Sequence, residues 1–413
     1  MTDERPVLLM TGNSTTLPLW QPLSEIYDLC IAHPQMAGML GDLSLSGFGL
    51  QKYMSAELQE TSVNAAYRMT SELFLDEFAT DLSKTIGEAF PNGVPENLTS
   101  PQVLHWWPSM VGEHLRNEIM IVEMLEKLKN ERHISGCVVH EDVTPDARTI
   151  VLWCKANQVP TVHVPHANCF YAGEGWDIHT ESLCDYISAA GSYMADWYSK
   201  WGFDSGRIKV TGVPQLDSWY SNNVPSKHEA RQVLNVDDDA FLLVYATTWA
   251  QLTSSRGGFD AELNESLRQA YEAAKELNAV LCVKMHPGET PNQEQIYLNA
   301  MKSYGITGFV SRQYNEYVLR AADVMLTHGP SNICVSAAMI GMPCSYIETE
   351  DFEFPFPSPV KVSRGGNATH ALKIAMQLER EGTWEIFAHS MNDAHPNGGA
   401  TERTTEFVRE VCQ

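Results

Sequence analysis

The residues from Thr327 to Pro343 form a segment whose composition suits the binding of an anion. An apolar run ends at Leu326, a loop with Gly, Pro and Ser follows, and a helix is predicted to begin near Asn332. Free N–H groups and the positive end of a helix dipole attract negative charge, and small residues let the backbone approach it. An ordinary strand–turn–helix junction would give the same pattern. The predicted ligand contacts come from His328, Gly329, Pro330, Ser331 and Asn332.

Three further basic side chains lie at the ends of predicted strands or in the loops after them, in the same half of the chain. His286 and its neighbour Lys284 stand at the end of an apolar run, where they could neutralise the charge of a leaving diphosphate. A histidine satisfied by local backbone groups is the alternative. Arg256 lies in another strand-end loop, where its guanidinium could brace a diphosphate or be solvated. Ligands of open parallel sheets bind at the carboxyl ends of the strands, so these positions are candidates for one site.

The elements that must position these residues alternate along the chain. Apolar residues on one side predict a helix within 118–129, and the Asn-, Ser- and Pro-containing stretch 220–226 is the predicted linker. Two successive α/β halves predict two Rossmann-like domains, with parallel sheets and flanking helices, facing a cleft. Strands are predicted at 7–10, 134–139, 161–164, 186–188, 241–246, 280–285, 308–310 and 324–326.

Composition limits the classes of function. The chain has 413 residues, enough for two domains, and a formal net charge of −24, which disfavours broad contact with nucleic acid or anionic lipid. The nine cysteines are odd in number and contain no C-x-x-C pair, as expected for free thiols in a reducing compartment. No run approaches the roughly 18 apolar residues that a transmembrane helix requires. We therefore expect a cytoplasmic protein without a transmembrane segment.

Several of these segments resemble motifs of known families. His328-Gly329-Pro330, Asn332 and the Ser-Ala pair before Pro343 are similar to the "HGG…N…EA…GxP" box of GT-B fold glycosyltransferases. The CDP-glycerol glycerophosphotransferases carry an analogous box. In both families an acid that binds the nucleotide ribose usually stands where this chain has Ser336, so the resemblance implies a ribose contact there that is weaker or supplied elsewhere.

Three other segments of the chain extend this resemblance. Residues 245–249 are similar to the "YAPTW" segment of the glycerophosphotransferases, which implies that Thr247 and Thr248 face the nucleotide phosphates. Residues 283–287 resemble their "(K/R)xHP" segment. Residues 210–217 resemble a "VTGNPxxD" segment shared with the UDP-N-acetylglucosamine 2-epimerases, whose role we expect to be mainly structural.

The general base is expected in the N-terminal half of the chain. Residues 160–168 resemble the "(I/V)PTVxxQHG" segment of the glycerophosphotransferases, and His166 takes the place of its histidine. An imidazole with a pKa of about 6.5 suits removal of a proton from a hydroxyl at neutral pH. Glu141 and Asp142 occupy another strand-end loop, and either could be the base instead or hold an imidazole in its useful tautomer. The choice among His166, Glu141 and Asp142 stays open at this point.

Together the motifs cover roughly residues 134–345 and imply a GT-B-like fold. The expected domains are an acceptor-side domain at 1–222, a nucleotide-donor domain at 223–390 and a C-terminal helix, within 391–413, that packs back on the first domain. The expected function is metal-independent transfer of a glycosyl or glycerophosphate-type group from a UDP- or CDP-linked donor. The acceptor is a hydroxyl of a glycan, a polyol or, as a minority hypothesis, a modified nucleic-acid base. No other cofactor is expected, and a homodimer is a candidate assembly.

Three alternatives to this transferase stay open. A UDP-N-acetylglucosamine 2-epimerase-like isomerase shares the segment at 210–217, but the "HVEAGLR" loop of the epimerases has no counterpart at 165–170. A glycosyltransferase acting on modified DNA bases is a second possibility, which the acidic charge disfavours. A non-catalytic binding module is the third, and the serine at position 336 favours it.

Overall fold

A computed structural model describes residues 5–73, 101–165, 170–171, 182–221, 224–247, 261–329, 331–347, 352–353, 361–362 and 366–413. The chain divides into two compact units. The first comprises Met1–Val164, Leu183–Tyr186 and Val408–Gln413, and the second comprises Pro165–Ser182 and Ile187–Phe407.

Fifteen strands and fifteen α-helices lie in the described residues. In chain order, the strands β1 to β15 are Val7–Met10, Asp28–Ile31, Gly47–Gly49, Ile134–Val139, Thr161–His163, Phe170–Tyr171, Tyr186–Ala189, Ile208–Val210, Leu242–Ala246, Val280–Lys284, Gly308–Ser311, Val324–His328, Cys344–Ile347, Phe352–Glu353 and Lys361–Val362. The helices α1 to α15 are Leu17–Ser24, Pro34–Ala37, Met39–Asp42, Ala56–Leu73, Pro101–Glu131, Pro145–Ala156, Ser192–Lys200, Lys227–Leu234, Ala261–Glu276, Pro291–Tyr304, Asn315–Ala321, Asn332–Met339, Ala368–Arg380, Thr383–Met391 and Ala400–Val411.

The first large sheet has seven strands in the order β3-β2-β1-β4-β5-β7-β8. Its β1 strand pairs in parallel with β2 on one side and β4 on the other. Every residue of β1 and β4 is buried, the pattern of parallel strands that are covered on both faces. Helix α5 packs against α6, where the Trp153 indole N–H donates to Glu126 Oε1 over 2.7 Å.

The second large sheet has six strands in the order β11-β10-β9-β12-β13-β15. All of its pairings are parallel, and Ala246 of β9 pairs with both Lys284 of β10 and Thr327 of β12. Because paired residues of parallel strands lie at the same height, the residues that follow these three positions emerge at one edge of the sheet. Two buried apolar clusters cover the faces of this sheet.

The segment at 210–217 anchors the C-terminal residues of the second unit. Gly212 has φ +96°, and a Cβ at this position would lie 2.7 Å from the Cβ of Ala394 and 2.9 Å from that of Ala400. The Asp217 carboxylate accepts the N–H groups of Ala400 and Thr401 over 3.1 and 2.7 Å, at the start of α15. These contacts favour the structural role expected for this segment.

The predicted α/β class, with two parallel sheets and flanking helices, is confirmed. Each strand predicted between residue 7 and residue 326 is present within one or two residues of its expected bounds, and the helix predicted at 118–129 is the end of the longer α5. Within the described ranges, no helix is long and apolar enough to cross a membrane.

Candidate functional site

Polar side chains emerge where the three central strands of the second sheet end. Thr247 follows β9, His286 lies two residues after β10, and His328 is the last residue of β12. These strands are neighbours in the order β10-β9-β12, so the three predicted side chains lie along one edge of the sheet. The structure therefore brings together three segments that are far apart in sequence.

A buried carboxylate connects the first two of these segments. Glu289 Oε2 accepts the His286 backbone N–H over 2.7 Å and also accepts the Thr247 hydroxyl. The same His286 N–H lies 2.7 Å from Thr247 Oγ1. The other carboxylate oxygen of Glu289 accepts the hydroxyl of Tyr297, from the second turn of α10. Glu289 thus connects three elements: the end of β9, the turn that follows β10, and helix α10.

The turn that carries His286 is closed from both sides. The Glu289 N–H donates to His286 O over 3.0 Å, as in a β-turn. Both terminal nitrogens of Arg312 donate to Glu289 O over 3.1 Å, and Arg312 Nε lies 3.8 Å from Glu294 Oε2. The next helix begins with a capping box formed by Thr290 and Gln293. Together with the Glu289 carboxylate, these contacts fix the backbone at 286–290.

The imidazole of His286 has one defined hydrogen-bond role. The Gly288 N–H donates to His286 Nδ1 over 3.1 Å, which places the proton of the neutral ring on Nε2. Burial lowers the pKa of His286, and the nearby Lys284 lowers it as well, while the Glu289 carboxylate opposes them. His286 is thus a neutral Nε2–H donor at physiological pH.

Lys284 is a buried lysine at the end of β10. Its Nζ donates to Met285 O over 2.9 Å, and burial lowers its pKa. The charge of Glu289 counteracts this shift. The basic neighbour expected beside His286 is therefore Lys284, whose side chain is buried at the edge of the sheet.

His328 is held by a residue that the sequence did not single out. Its ring is buried, and Nδ1 lies 2.6 Å from the hydroxyl of Ser266 on α9. The chain then turns at Gly329, which has φ +72° and whose N–H donates to Ile347 O over 2.9 Å. The Thr327 hydroxyl donates to Gly329 O over 2.8 Å. Glycine is the residue that adopts this left-handed conformation at least cost.

Helix α12 begins directly after this turn, as predicted. Ser331 occupies the N-cap in an extended conformation, and its hydroxyl makes no capping hydrogen bond to the described residues of the helix. Ser331 and Asn332 are partly exposed, whereas Ser336 is buried one turn further along. The N-terminal end of α12 therefore lies beside His328, at the same sheet edge as Thr247 and His286.

The first unit has its own group of polar side chains where β1 and β4 end. The His140 backbone N–H donates to Thr11 Oγ1 over 3.2 Å, and His140 Nδ1 lies 2.7 Å from the same oxygen. His140 Nε2 lies 3.7 Å from the carboxylate of Glu141, which is 22% exposed. Sequence reasoning selected Glu141 but missed His140, although Thr11 and His140 both follow neighbouring parallel strands.

Asp142 and His163 are buried in this unit. Asp142 Oδ2 accepts the N–H of Leu183 over 2.7 Å, so its carboxylate fixes the backbone that enters β7. His163 is the last residue of β5 and is buried. The predicted site residues His166, Thr248, Arg256 and Pro330 lie outside the described residues.

The described residues contain no group of three or more His, Cys, Asp or Glu side chains that could hold a metal ion. The charged side chains Glu289, Lys284 and Arg312 at the edge of the second sheet instead bond to hydroxyl and backbone groups. What this edge offers a ligand is the Nε2–H group of His286 and the N-terminal end of α12, an arrangement suited to phosphate oxygens.

Comparison with known proteins places this site in a family context. Residues 174–328, which include β9, β10 and β12, match the family model of the CDP-glycerol:poly(glycerophosphate) glycerophosphotransferases. No curated protein matches the chain in sequence.

Solved structures share the fold at low sequence identity. UDP-GlcNAc 2-epimerase from Neisseria meningitidis, bound to UDP-GlcNAc, has a TM-score of 0.59 and 13% identity, over 98% of this chain and 100% of that chain. S. aureus MnaA, solved with UDP, has a TM-score of 0.56 and 13% identity, over 98% and 96%. The wall teichoic acid polymerase TagF has a TM-score of 0.52 and 13% identity, over 98% and 89%.

The fold is therefore of the GT-B type, with two parallel sheets and flanking helices. The resemblance expected from the motifs, to a superfamily whose members include CDP-glycerol transferase-like and epimerase-like proteins, is confirmed.

Proposed function

We propose that this protein transfers a glycosyl or glycerophosphate-type group from a nucleotide-activated donor to a hydroxyl acceptor. The observation that carries the proposal is the meeting of Thr247, His286 and the Gly329 turn at one edge of the second sheet. The glycerophosphotransferase match ends at residue 328 and includes the first two of these positions. The CDP-glycerol family model and the UDP-bound neighbours support a UDP- or CDP-linked donor.

The donor side of the reaction requires stabilisation of a leaving phosphate. When the transferred group departs, negative charge develops on an oxygen of the nucleoside diphosphate or monophosphate. The neutral His286 ring donates its Nε2–H to this oxygen, and the positive end of the α12 dipole at the same sheet edge favours the negative charge. Because these groups are fixed before the ligand arrives, they need little reorganisation in the transition state. Thr248, Arg256 and Pro330 complete this proposed donor site.

The acceptor side requires a base for the hydroxyl proton. His166 remains the proposed base, on its resemblance to the histidine of the glycerophosphotransferase segment. Of the two acids, Glu141 is the better alternative because its carboxylate is partly exposed beside His140. The carboxylate of Asp142 is buried and already accepts a backbone N–H, so a structural role suits it better.

We further propose that transfer needs no resident metal, because hydrogen-bond donors and the helix start serve the phosphate charge. The eight cysteines in the described ranges are all free thiols, which supports the proposed cytoplasmic location. Assembly as a homodimer is kept as a proposal.

A two-stage experiment tests this function on the full chain. Melting temperatures are first measured with UDP, CDP, GDP and TDP conjugates, since a ligand that binds the native state raises the melting temperature. Release of nucleotide is then measured for the conjugate that gives the largest shift, with glycan and polyol acceptors and with EDTA present. A rise in melting temperature and acceptor-dependent release are expected. If no conjugate binds or releases nucleotide, the transferase proposal is wrong.

A UDP-N-acetylglucosamine 2-epimerase-like activity is the second candidate. It is favoured by the epimerase structures, of which the Neisseria meningitidis enzyme has a TM-score of 0.59. Incubation with UDP-GlcNAc alone separates the two reactions, because an epimerase forms its product without an acceptor and a transferase does not.

A further inference from the structure

Glu289 is a buried carboxylate between the segments that carry Thr247 and His286, and no motif points to it. The residue is 3% exposed, and its carboxylate accepts hydrogen bonds from three donors: the His286 N–H, the Thr247 hydroxyl and the Tyr297 hydroxyl. A buried carboxylate is costly unless it is hydrogen-bonded, so these contacts are obligatory for the local fold.

The contacts of Glu289 converge on the position of one imidazole. Its carboxylate fixes the backbone N–H of His286, and its backbone N–H closes the turn onto His286 O. That turn presents the Gly288 N–H to His286 Nδ1, which keeps the proton on Nε2. Removal of the carboxylate would disconnect the turn from the Thr247 hydroxyl and from Tyr297 of α10. The turn would then be held by its backbone contacts and Arg312 alone, and we expect the ring to sample both tautomers.

We infer that Glu289 is a positioning residue, which holds His286 so that Nε2–H points as a hydrogen-bond donor toward the leaving phosphate of a nucleotide donor. The use of that donor rests on the proposed function, whereas the fixation of the ring does not. Glu289 itself touches neither donor nor acceptor in this scheme. Tyr297 and Arg312 support it, through the second carboxylate oxygen and the backbone carbonyl.

The first arm of the test observes the ring without any substrate. The full chain is labelled with ¹⁵N-histidine, and the His286 signals are assigned as those lost in His286→Gln. The wild type is expected to show the neutral Nε2–H tautomer at pH 7.5, and Glu289→Ala is expected to show signals averaged between tautomers. The same tautomer, unchanged in Glu289→Ala, would overturn the inference.

The second arm measures transfer by the folded enzyme. Glu289→Ala is expected to lower kcat about 10²-fold, as small displacements of reacting groups do, with a smaller change in KM. The double variant His286→Ala, Glu289→Ala should be no slower than His286→Ala, because residues that act as one unit are not additive. Independent, additive losses would show a purely structural role and contradict the inference.

Two further variants make the comparison specific. Glu289→Gln keeps an oxygen for the His286 N–H and turns its amide toward the Tyr297 hydroxyl, which can accept, so it should restore both tautomer and kcat. Glu276→Ala is the control, since Glu276 is an exposed carboxylate of the same unit that pairs with Lys373 and has no part in the turn, and it should behave as the wild type. If the wild type transfers nothing from any donor, the proposed function fails and the tautomer measurement alone decides the role of Glu289.

Discussion

Replacement of Asp217 by alanine tests whether the 210–217 segment serves the fold or the chemistry. Its carboxylate accepts two N–H groups at the start of α15, over 3.1 and 2.7 Å. Loss of a helix N-cap costs about 1–2 kcal/mol, and loss of a negative charge at that end costs about 0.3–1 kcal/mol more. The expected loss in the free energy of unfolding is therefore about 2 kcal/mol, with kcat unchanged for the folded protein.

Equilibrium urea unfolding, followed by tryptophan fluorescence, measures this loss beside donor turnover. Asp204→Ala is the matched control, because its carboxylate also accepts a backbone N–H, from Gly206 over 2.9 Å, but on an exposed turn. Its expected effect is within about 0.5 kcal/mol. A fall in kcat of tenfold or more in Asp217→Ala, at unchanged stability, would show that Asp217 takes part in the reaction and would refute the structural assignment.

Three more predictions follow from the same geometry. Gly212→Ala should cost about 3 kcal/mol in unfolding free energy, because its backbone is left-handed and the new methyl group would overlap those of Ala394 and Ala400. Gly202→Ala is the control: its φ is +91° but the space around it is open, so it should cost about 1 kcal/mol in the same urea assay. Ser266→Ala removes the partner of His328 Nδ1 and should weaken binding of a nucleoside diphosphate about fivefold, the equivalent of one hydrogen bond, by calorimetric titration. Because burial lowers the pKa of His286, the unfolded chain binds a proton more readily, so this residue costs stability as the pH falls below about 6.5 and costs none above it. His286→Gln should therefore lose less unfolding free energy than the wild type between pH 8 and pH 5.5, and equal losses would contradict the shift.

The alternation of apolar runs and turns was enough to predict the class of fold. Strands such as Val7–Met10 and Ile134–Val139 are short apolar runs bounded by polar loops. A parallel strand that is buried on both faces consists mostly of apolar residues, so such a run predicts it. The positions of Thr247, His286 and His328 at strand ends were predictable for the same reason. Their meeting at one edge required only that the sheet be parallel.

What the sequence determined by itself was therefore local: which residues form strands, where these end, and that Gly329 turns the chain before a helix. Only the tertiary structure decided which side chains bond to each other. Glu289 stands just before a helix cap, where an acid is usually solvated, and Ser266 lies within a helix far from His328 in sequence. Contacts of this kind depend on strand order and register, because β9, β10 and β12 become neighbours only when the sheet is assembled. Local sequence patterns do not encode those distances.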